Sequence, residues 1–118
     1  MPVQSKRAYL EADPDDGYRV LVDGLWPRGL TREKLRVAEW LKEIAPSAGL
    51  RKWYGHKPER WEAFRKKFRA ELAKSPRKEL LEELVRRARR EQVTLVFGAR
   101  DAERSNATVL AEVIRERL

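Results

Sequence analysis

Tyr18-Arg19-Val20-Leu21-Val22-Asp23-Gly24-Leu25-Trp26-Pro27-Arg28-Gly29 is the stretch on which the reading of this chain turns. Its first half is a short apolar run, bounded by Asp15-Asp16-Gly17 on one side and by a turn rich in Gly and Pro on the other. A strand covered on both faces has this pattern, and such strands belong to parallel sheets. The run ends in an acid, a tryptophan and an arginine, with Pro27 and Gly29 shaping the turn that carries them. Parallel sheets gather their sites just beyond the carboxyl ends of their strands, so this corner is the candidate site.

A second run of the same kind spans Gln92 to Phe97 and ends in Gly98-Ala99-Arg100-Asp101. If the two runs lie parallel in one sheet, Asp23 and Gly98 emerge at the same edge. Towards the amino terminus, Val3 to Leu10 reads as an edge strand, with Val3, Tyr9 and Leu10 among Lys6 and Arg7. Asp13-Pro14-Asp15-Asp16-Gly17 is a turn, because Pro fixes one dihedral and Gly permits positive φ.

Between the two central runs the periodicity is helical. Thr31 is a plausible N-cap for a helix carrying Leu35, Ala38, Leu41 and Ala45, which Pro46 would stop. Ser47 can cap a short helix with Leu50, Trp53 and Tyr54, and Pro58 suits the first position of the next. That one lines Trp61, Phe64, Phe68 and Leu72 on one face, with Arg60, Lys66, Lys67 and Arg69 opposite. Ser75-Pro76 opens another, with Leu80, Leu81, Leu84, Val85 and Ala88 inward and Arg86, Arg87, Arg89 and Arg90 outward. A last helix runs from about Glu103 to Arg117, burying Leu110, Val113, Ile114 and Leu118. The expectation is an α/β fold: a small single domain over residues 1–118, with a short, mainly parallel sheet covered by helices.

Composition bounds the function. A chain of 118 residues with 42% hydrophobic and 39% charged residues supports one modest core. No apolar run approaches membrane-span length and no signal-peptide pattern opens the chain, so no membrane partner and a cytoplasmic location are expected. Cysteine is absent, which excludes disulfides, thiolate catalysis and cysteine-bound zinc. With His56 the only histidine, a histidine-rich metal site is excluded as well, although carboxylates alone could hold magnesium. The sequence specifies no cofactor and no oligomeric state. The net charge of +8 favours anionic small molecules or polyanions; solvated basic helix faces account for it equally well.

Six residues form the candidate constellation. Arg28 and Arg100 offer guanidinium forks of the geometry that carboxylates and phosphates need, and Trp26 could stack on a ligand or close the pocket. Asn106, at the start of the last helix, points an amide inward that must find a partner. Asp23 is the candidate base or ligand-orienting group, and His56 the one side chain whose ordinary pKa lies near neutrality. Each also has a structural role open to it. Asp23 can cap a turn or pair with Arg28, Trp26 can be core, Arg100 can be surface, and His56 can cap or pack. Asp101 is expected as the N-cap of the last helix. No nucleophile elbow surrounds Ser47 or Ser105, and neither a phosphate-loop glycine pattern nor helical metal-ligand spacing occurs.

At Val20-Leu21-Val22-Asp23-Gly24-Leu25-Trp26-Pro27-Arg28-Gly29 the chain resembles the YeaO-like family of bacterial and archaeal proteins, domain-of-unknown-function family 488. The resemblance continues through Glu39 to Ser47, Leu50 to His56 and Val93 to Asp101, and so covers nearly the whole chain. It departs at two positions: members of the family usually carry an arginine where this chain has Gly24, and commonly a histidine where it has Ser105. The resemblance implies a site at the strand ends, where more distant relatives place polar groups, and implies no particular reaction. Two functions follow as expectations. The first is binding, with hydrolysis or group transfer, of a small anionic molecule, phosphorylated or nucleotide-like. The second is a nucleic-acid-binding module that uses the basic helices between Arg60 and Arg90.

Overall fold

In the computed structural model, which describes residues 2–118, four parallel strands form one sheet. They are β1 (Val3–Arg7), β2 (Tyr18–Leu21), β3 (Glu39–Trp40) and β4 (Val93–Phe97), in the order β1-β4-β2-β3. The two apolar runs are therefore parallel neighbours, paired from Tyr18 with Val93 to Leu21 with Val96. Strand β1 is an edge, as its mixed pattern predicts, and pairs with β4 from Val3 with Val93 to Arg7 with Phe97. All five residues of β4 are buried, the environment that a Val-Thr-Leu-Val-Phe run requires.

Among the described residues five α-helices accompany the sheet: α1 (Arg32–Leu35), α2 (Ala48–Tyr54), α3 (Trp61–Leu72), α4 (Arg77–Ala88) and α5 (Asn106–Arg117). The fold is α/β, and the division of residues between the two sheet faces follows the alternation of the strands. Val3, Val20, Val22, Val93, Leu95 and Phe97 join the main core with Phe64, Phe68 and Leu72 of α3, Leu81, Leu84 and Val85 of α4, and Leu110 and Ile114 of α5. Burying a side chain of this size stabilises by about 1.5–3 kcal/mol, so this layer carries the stability. On the other face Leu21, Val96, Ala8 and Leu35 form a smaller cluster under Trp26, Leu30, Val37 and Trp40. That face is covered by a loop and a single helical turn.

The helix expected from Thr31 to Ala45 is where the sequence misleads. Thr31 does cap a helix, its Oγ1 accepting from Lys34 N at 3.2 Å. The helix ends after Leu35, because Arg36 adopts φ 51° and turns the chain. Glu39–Trp40 then pairs with Val20 and Leu21 as a third parallel partner in the sheet, followed by a 3-10 turn at Lys42–Ile44. An arginine in the left-handed region gives no glycine stop signal, and Leu35, Ala38, Leu41 and Ala45 mimic helical spacing.

The remaining capping expectations divide. Ser47 caps α2, accepting from Leu50 N at 3.2 Å, and its hydroxyl donates to Glu71 of α3 at 2.5 Å, which fixes the angle between the two helices. Pro58 opens a 3-10 turn at Pro58–Arg60 that runs into α3. The N-cap of α5 is Ser105, not Asp101: its Oγ accepts from Thr108 N at 3.2 Å, and Thr108 reaches back to Ser105 N. Asp101 instead pairs with Arg104 at 3.0 Å and accepts from Glu103 N. Along the α3–α5 seam Arg65 meets Glu112 at 2.7 Å and Arg69 meets Glu112 and Glu116 at 3.2 and 2.8 Å. Part of the basic charge of α3 is thus neutralised within the fold.

Candidate functional site

The carboxyl end of β2 is fixed by three hydrogen bonds that converge from different elements. Asn106 of α5 donates its amide to Val22 O at 3.0 Å. The Trp40 indole donates to Asp23 O at 2.7 Å, and Gly98, just past β4, donates its N–H to Asp23 Oδ2 at 2.8 Å. The juxtaposition of Asp23 with Gly98 is what parallel pairing of the two strands demands, and a Cβ at position 98 would stand 3.3 Å from that same oxygen. Glycine there lets the backbone approach the carboxylate closely.

Beyond this junction lies a pocket of about 260 Å³. Its apolar part comes from Ala45, Pro46, Tyr54, Phe64 and Ala99, and Asp23, Arg51, His56, Arg104, Ser105 and Asn106 complete the lining with Gly24, Leu25 and Gly98. Tyr54 and Phe64 stack with ring centroids 4.3 Å apart, and the Tyr54 hydroxyl donates to Arg104 O at 2.9 Å, tying α2 to the loop before α5. Arg7 donates to Ala99 O at 2.9 Å and holds the loop after β4 from the opposite side. The walls are therefore braced.

Burial in this apolar surround raises the pKa of Asp23 above its ordinary value of 3.8. The Gly98 N–H, the Asn106 amide, His56 and Arg51 oppose the rise without cancelling it. His56 adopts φ 56° directly after Gly55 at φ 52°, so its ring reaches the pocket from a left-handed turn at the end of α2. Non-glycine residues hold this conformation at a cost of about 1–3 kcal/mol, and they cluster at sites where a side chain must be aimed. A carboxyl group with raised pKa in an apolar pocket can exchange a proton or orient a donor. The Ser105 hydroxyl in the lining is not a ready nucleophile: it is buried and occupied by the first turn of α5. Among the described residues, no group of three or more His, Cys, Asp or Glu could hold a metal ion.

Of the six residues singled out in the sequence, Asp23, His56 and Asn106 meet in this pocket and the other three do not line it. The loop after β2 turns to the far face of the sheet. There Trp26 packs edge-on against Trp40 at 5.5 Å between centroids, and its indole donates to Leu30 O at 2.7 Å. Arg28 is exposed, with its backbone carbonyl accepting from the Tyr9 hydroxyl at 3.0 Å, and Arg100 is exposed as well. The cations of the pocket are Arg51 and Arg104, which sequence reasoning missed. Both sit on otherwise ordinary polar surface among 27 lysines and arginines, and no local pattern separates them from the rest.

With the geometry in place, comparison with known proteins decides the relationship. The family model described as "Inactive DUF488-N3 subclade" matches residues 2–118. The chain belongs to this family, DUF488-N3i. The DUF488-N3i chain is 44% identical over 115 residues to an uncharacterised protein of Mycobacterium tuberculosis (strain H37Rv) and equally to one of Mycobacterium bovis, covering 98% of this chain and 95% of each. It is 39% identical over 115 residues to the uncharacterised protein YeaO of Escherichia coli K12, covering 98% of both. It is thus a YeaO-like DUF488 protein. No solved structure matches it at a significant level. Gly24 and Ser105, the two departures noted in the sequence, both line the pocket. A Cβ at Gly24 would stand 3.6 Å from Arg51 Nη1 and 3.6 Å from Ala45 Cβ, so Arg51 lies against the space a larger side chain would fill.

Proposed function

We propose that this protein is a binding module for a small anionic molecule, phosphorylated or nucleotide-like, held in the pocket at the carboxyl ends of β2 and β4. The observation that carries the reading is the lining itself: two guanidinium groups, Arg51 and Arg104, and the His56 imidazole stand around an apolar pocket whose one acid is Asp23. Arg104 is shared with Asp101 at 3.0 Å, which leaves Arg51 as the principal anion contact. The word "inactive" in the description of the matching family, and the absence of a nucleophile at Ser105, favour binding without turnover over a hydrolase or transferase. No helix of the described residues is long and apolar enough to cross a membrane.

The test is a thermal-shift screen with inorganic phosphate, phosphate monoesters and nucleoside monophosphates, since a ligand of the folded state raises apparent stability by mass action. Arg51 is exposed, so Arg51→Ala should leave the unliganded melting point in place. It should weaken the best hit by roughly tenfold or more, as expected for a lost charge-assisted hydrogen bond. A hit of unchanged affinity in that variant, or no hit among these anions, removes the proposal.

A second reading, contact with nucleic acid, rests on a different place. Trp53 at the end of α2 is 36% exposed, with Arg60 Cζ 5.0 Å and Lys67 Nζ 5.2 Å from its ring. Filter binding would favour it if affinity for single-stranded RNA or DNA were steeply salt-dependent and lost its slope on charge reversal at Lys67, Arg86 and Arg89.

A further inference from the structure

The anion pocket already contains an anion. Among the described residues of its lining Asp23 is the one acid, and it lies close to the principal cation. Gly24 follows it in the chain, and a Cβ there would stand 3.6 Å from Arg51 Nη1. Arg51 and His56, on α2 and in the turn after it, both favour the charged form of Asp23. The groups that would hold a ligand therefore have a claimant before it arrives. The other groups of the lining do not alter this. Arg104 is shared with Asp101 at 3.0 Å, the Tyr54 hydroxyl donates to Arg104 O at 2.9 Å, and the Gly98 N–H and Asn106 amide that face Asp23 are neutral. Nor can the carboxylate swing aside freely, because its Oδ2 is tied to Gly98 N at 2.8 Å.

Two negative charges confined to a pocket of about 260 Å³ repel, and like charge disfavours ionisation of the group that can take up a proton. Burial already opposes the charged form of Asp23. Resting on the reading of an anion site above, we infer that Asp23 is a built-in competitor for Arg51, and that the pocket takes up its anion together with one proton on Asp23. The step balances: one proton from solvent joins Oδ1 as the ligand replaces the carboxylate beside Arg51, and Oδ2 keeps the Gly98 N–H. Between the pKa of Asp23 in the free protein and its higher value in the liganded one, only the complex holds this proton. Affinity therefore falls as pH rises through that interval, by up to about tenfold per pH unit.

Calorimetric titration of the full chain and of Asp23→Asn with inorganic phosphate and phenyl phosphate tests this. The ionisation of each probe and of His56 is common to both proteins, so the gap between them at one pH reports Asp23. At about pH 8 the variant should bind about tenfold tighter than the parent or more, and at about pH 4.5 the gap should shrink below about threefold. Asp23→Ser, also uncharged, serves if the Asn variant does not fold. Equal affinities of parent and variant at both pH values, or weaker binding by the variant, would overturn the inference and leave the anion site standing. A gap of the same size at both pH values would overturn the proton uptake. Failure of both probes to bind either protein would overturn the inference, and with nucleoside monophosphates silent as well the anion site falls too.

Discussion

Strand β2 is bracketed by two aspartates that the protein treats in opposite ways. Asp16, just before the strand, is 2% exposed, and its carboxylate accepts from Lys6 Nζ at 3.1 Å, Arg19 Nη1 at 2.6 Å, Gln4 Nε2 at 3.3 Å and Asp13 N at 3.0 Å. Burial works to raise its pKa, but the backbone of Asp13 and the Lys6 and Arg19 side chains outweigh it and hold the group below 3.8. Asp23, just after the strand, accepts from the Gly98 N–H at 2.8 Å, and although the Asn106 amide, His56 and Arg51 also favour its charged form, burial prevails and raises its pKa. The same side chain is a buried structural anchor at one end of the sheet and a partly exposed member of a pocket lining at the other. Ion pairing at the first end and desolvation at the second decide which way each carboxyl group is shifted.

The largest effect expected from this contrast is at the anchored end. Asp16→Asn leaves the buried Arg19 guanidinium without its counter-charge, although two of its nitrogens still donate to Leu35 O at 3.1 and 2.7 Å. Breaking a buried pair from one side costs about 3–5 kcal/mol, and chemical denaturation should show a loss of that order. A loss below about 1 kcal/mol would mean the network is dispensable and the contrast between the two ends is false.

The pH dependence of stability should sharpen the comparison, because the two acids act with opposite sign. Asp16 has a lowered folded pKa, so its contribution is fully present above the unfolded value and is lost as pH falls through the folded one, below 3.8. Asp23 has a raised folded pKa, so between 3.8 and that value the folded state keeps a proton the unfolded chain has released. Stability then decreases as pH rises through that window. Asp23→Asn should remove this decline and leave stability at neutral pH within about 1 kcal/mol of the parent, on the more stable side. Urea titrations from pH 3 to about 8 check it, and a variant that follows the parent's curve throughout would show that Asp23 titrates normally.

The smallest expected effect is at Arg28, which the sequence makes prominent. It is exposed and lies outside the pocket lining. Arg28→Ala should change stability by no more than about 0.5 kcal/mol and leave phosphate-ester binding where it was. Loss of binding in this variant would move the anion site to the far side of the sheet.

What could be read in advance follows from which signals are local. The runs Val20–Val22 and Gln92–Phe97 announced themselves because burial on both faces leaves a continuous apolar stretch, and parallel pairing then placed Asp23 beside Gly98. Asn106 could be placed by helical phase alone. Strand β3 could not be read, because Glu39–Trp40 is two residues long, Glu39 is exposed, and pairing with β2 is a tertiary choice. Trp26 and Arg28 were assigned to the wrong side because a turn of Gly and Pro shows that the chain bends without showing which way. Arg51 and Arg104 reach the pocket only through the placement of α2 and of the loop tied down by Tyr54, a contact 50 residues apart in sequence.

The strand order has a bearing on how the molecule comes into being. Strand β4 is hydrogen-bonded on both sides, to β1 and to β2, while β1 and β2 do not pair with each other. It is also the last of the four to leave the ribosome. Until residues 93–97 emerge, Val3–Arg7 has no neighbour to pair with, and β2 has only the two residues of β3. The sheet therefore cannot be assembled strand by strand during synthesis. It waits for one late segment to be threaded between partners made long before, and contacts of such sequence separation are the slow ones to form. The same insertion brings Gly98 to Asp23, and the pocket closes only when Arg104, Ser105 and Asn106, later still in the chain, are in place.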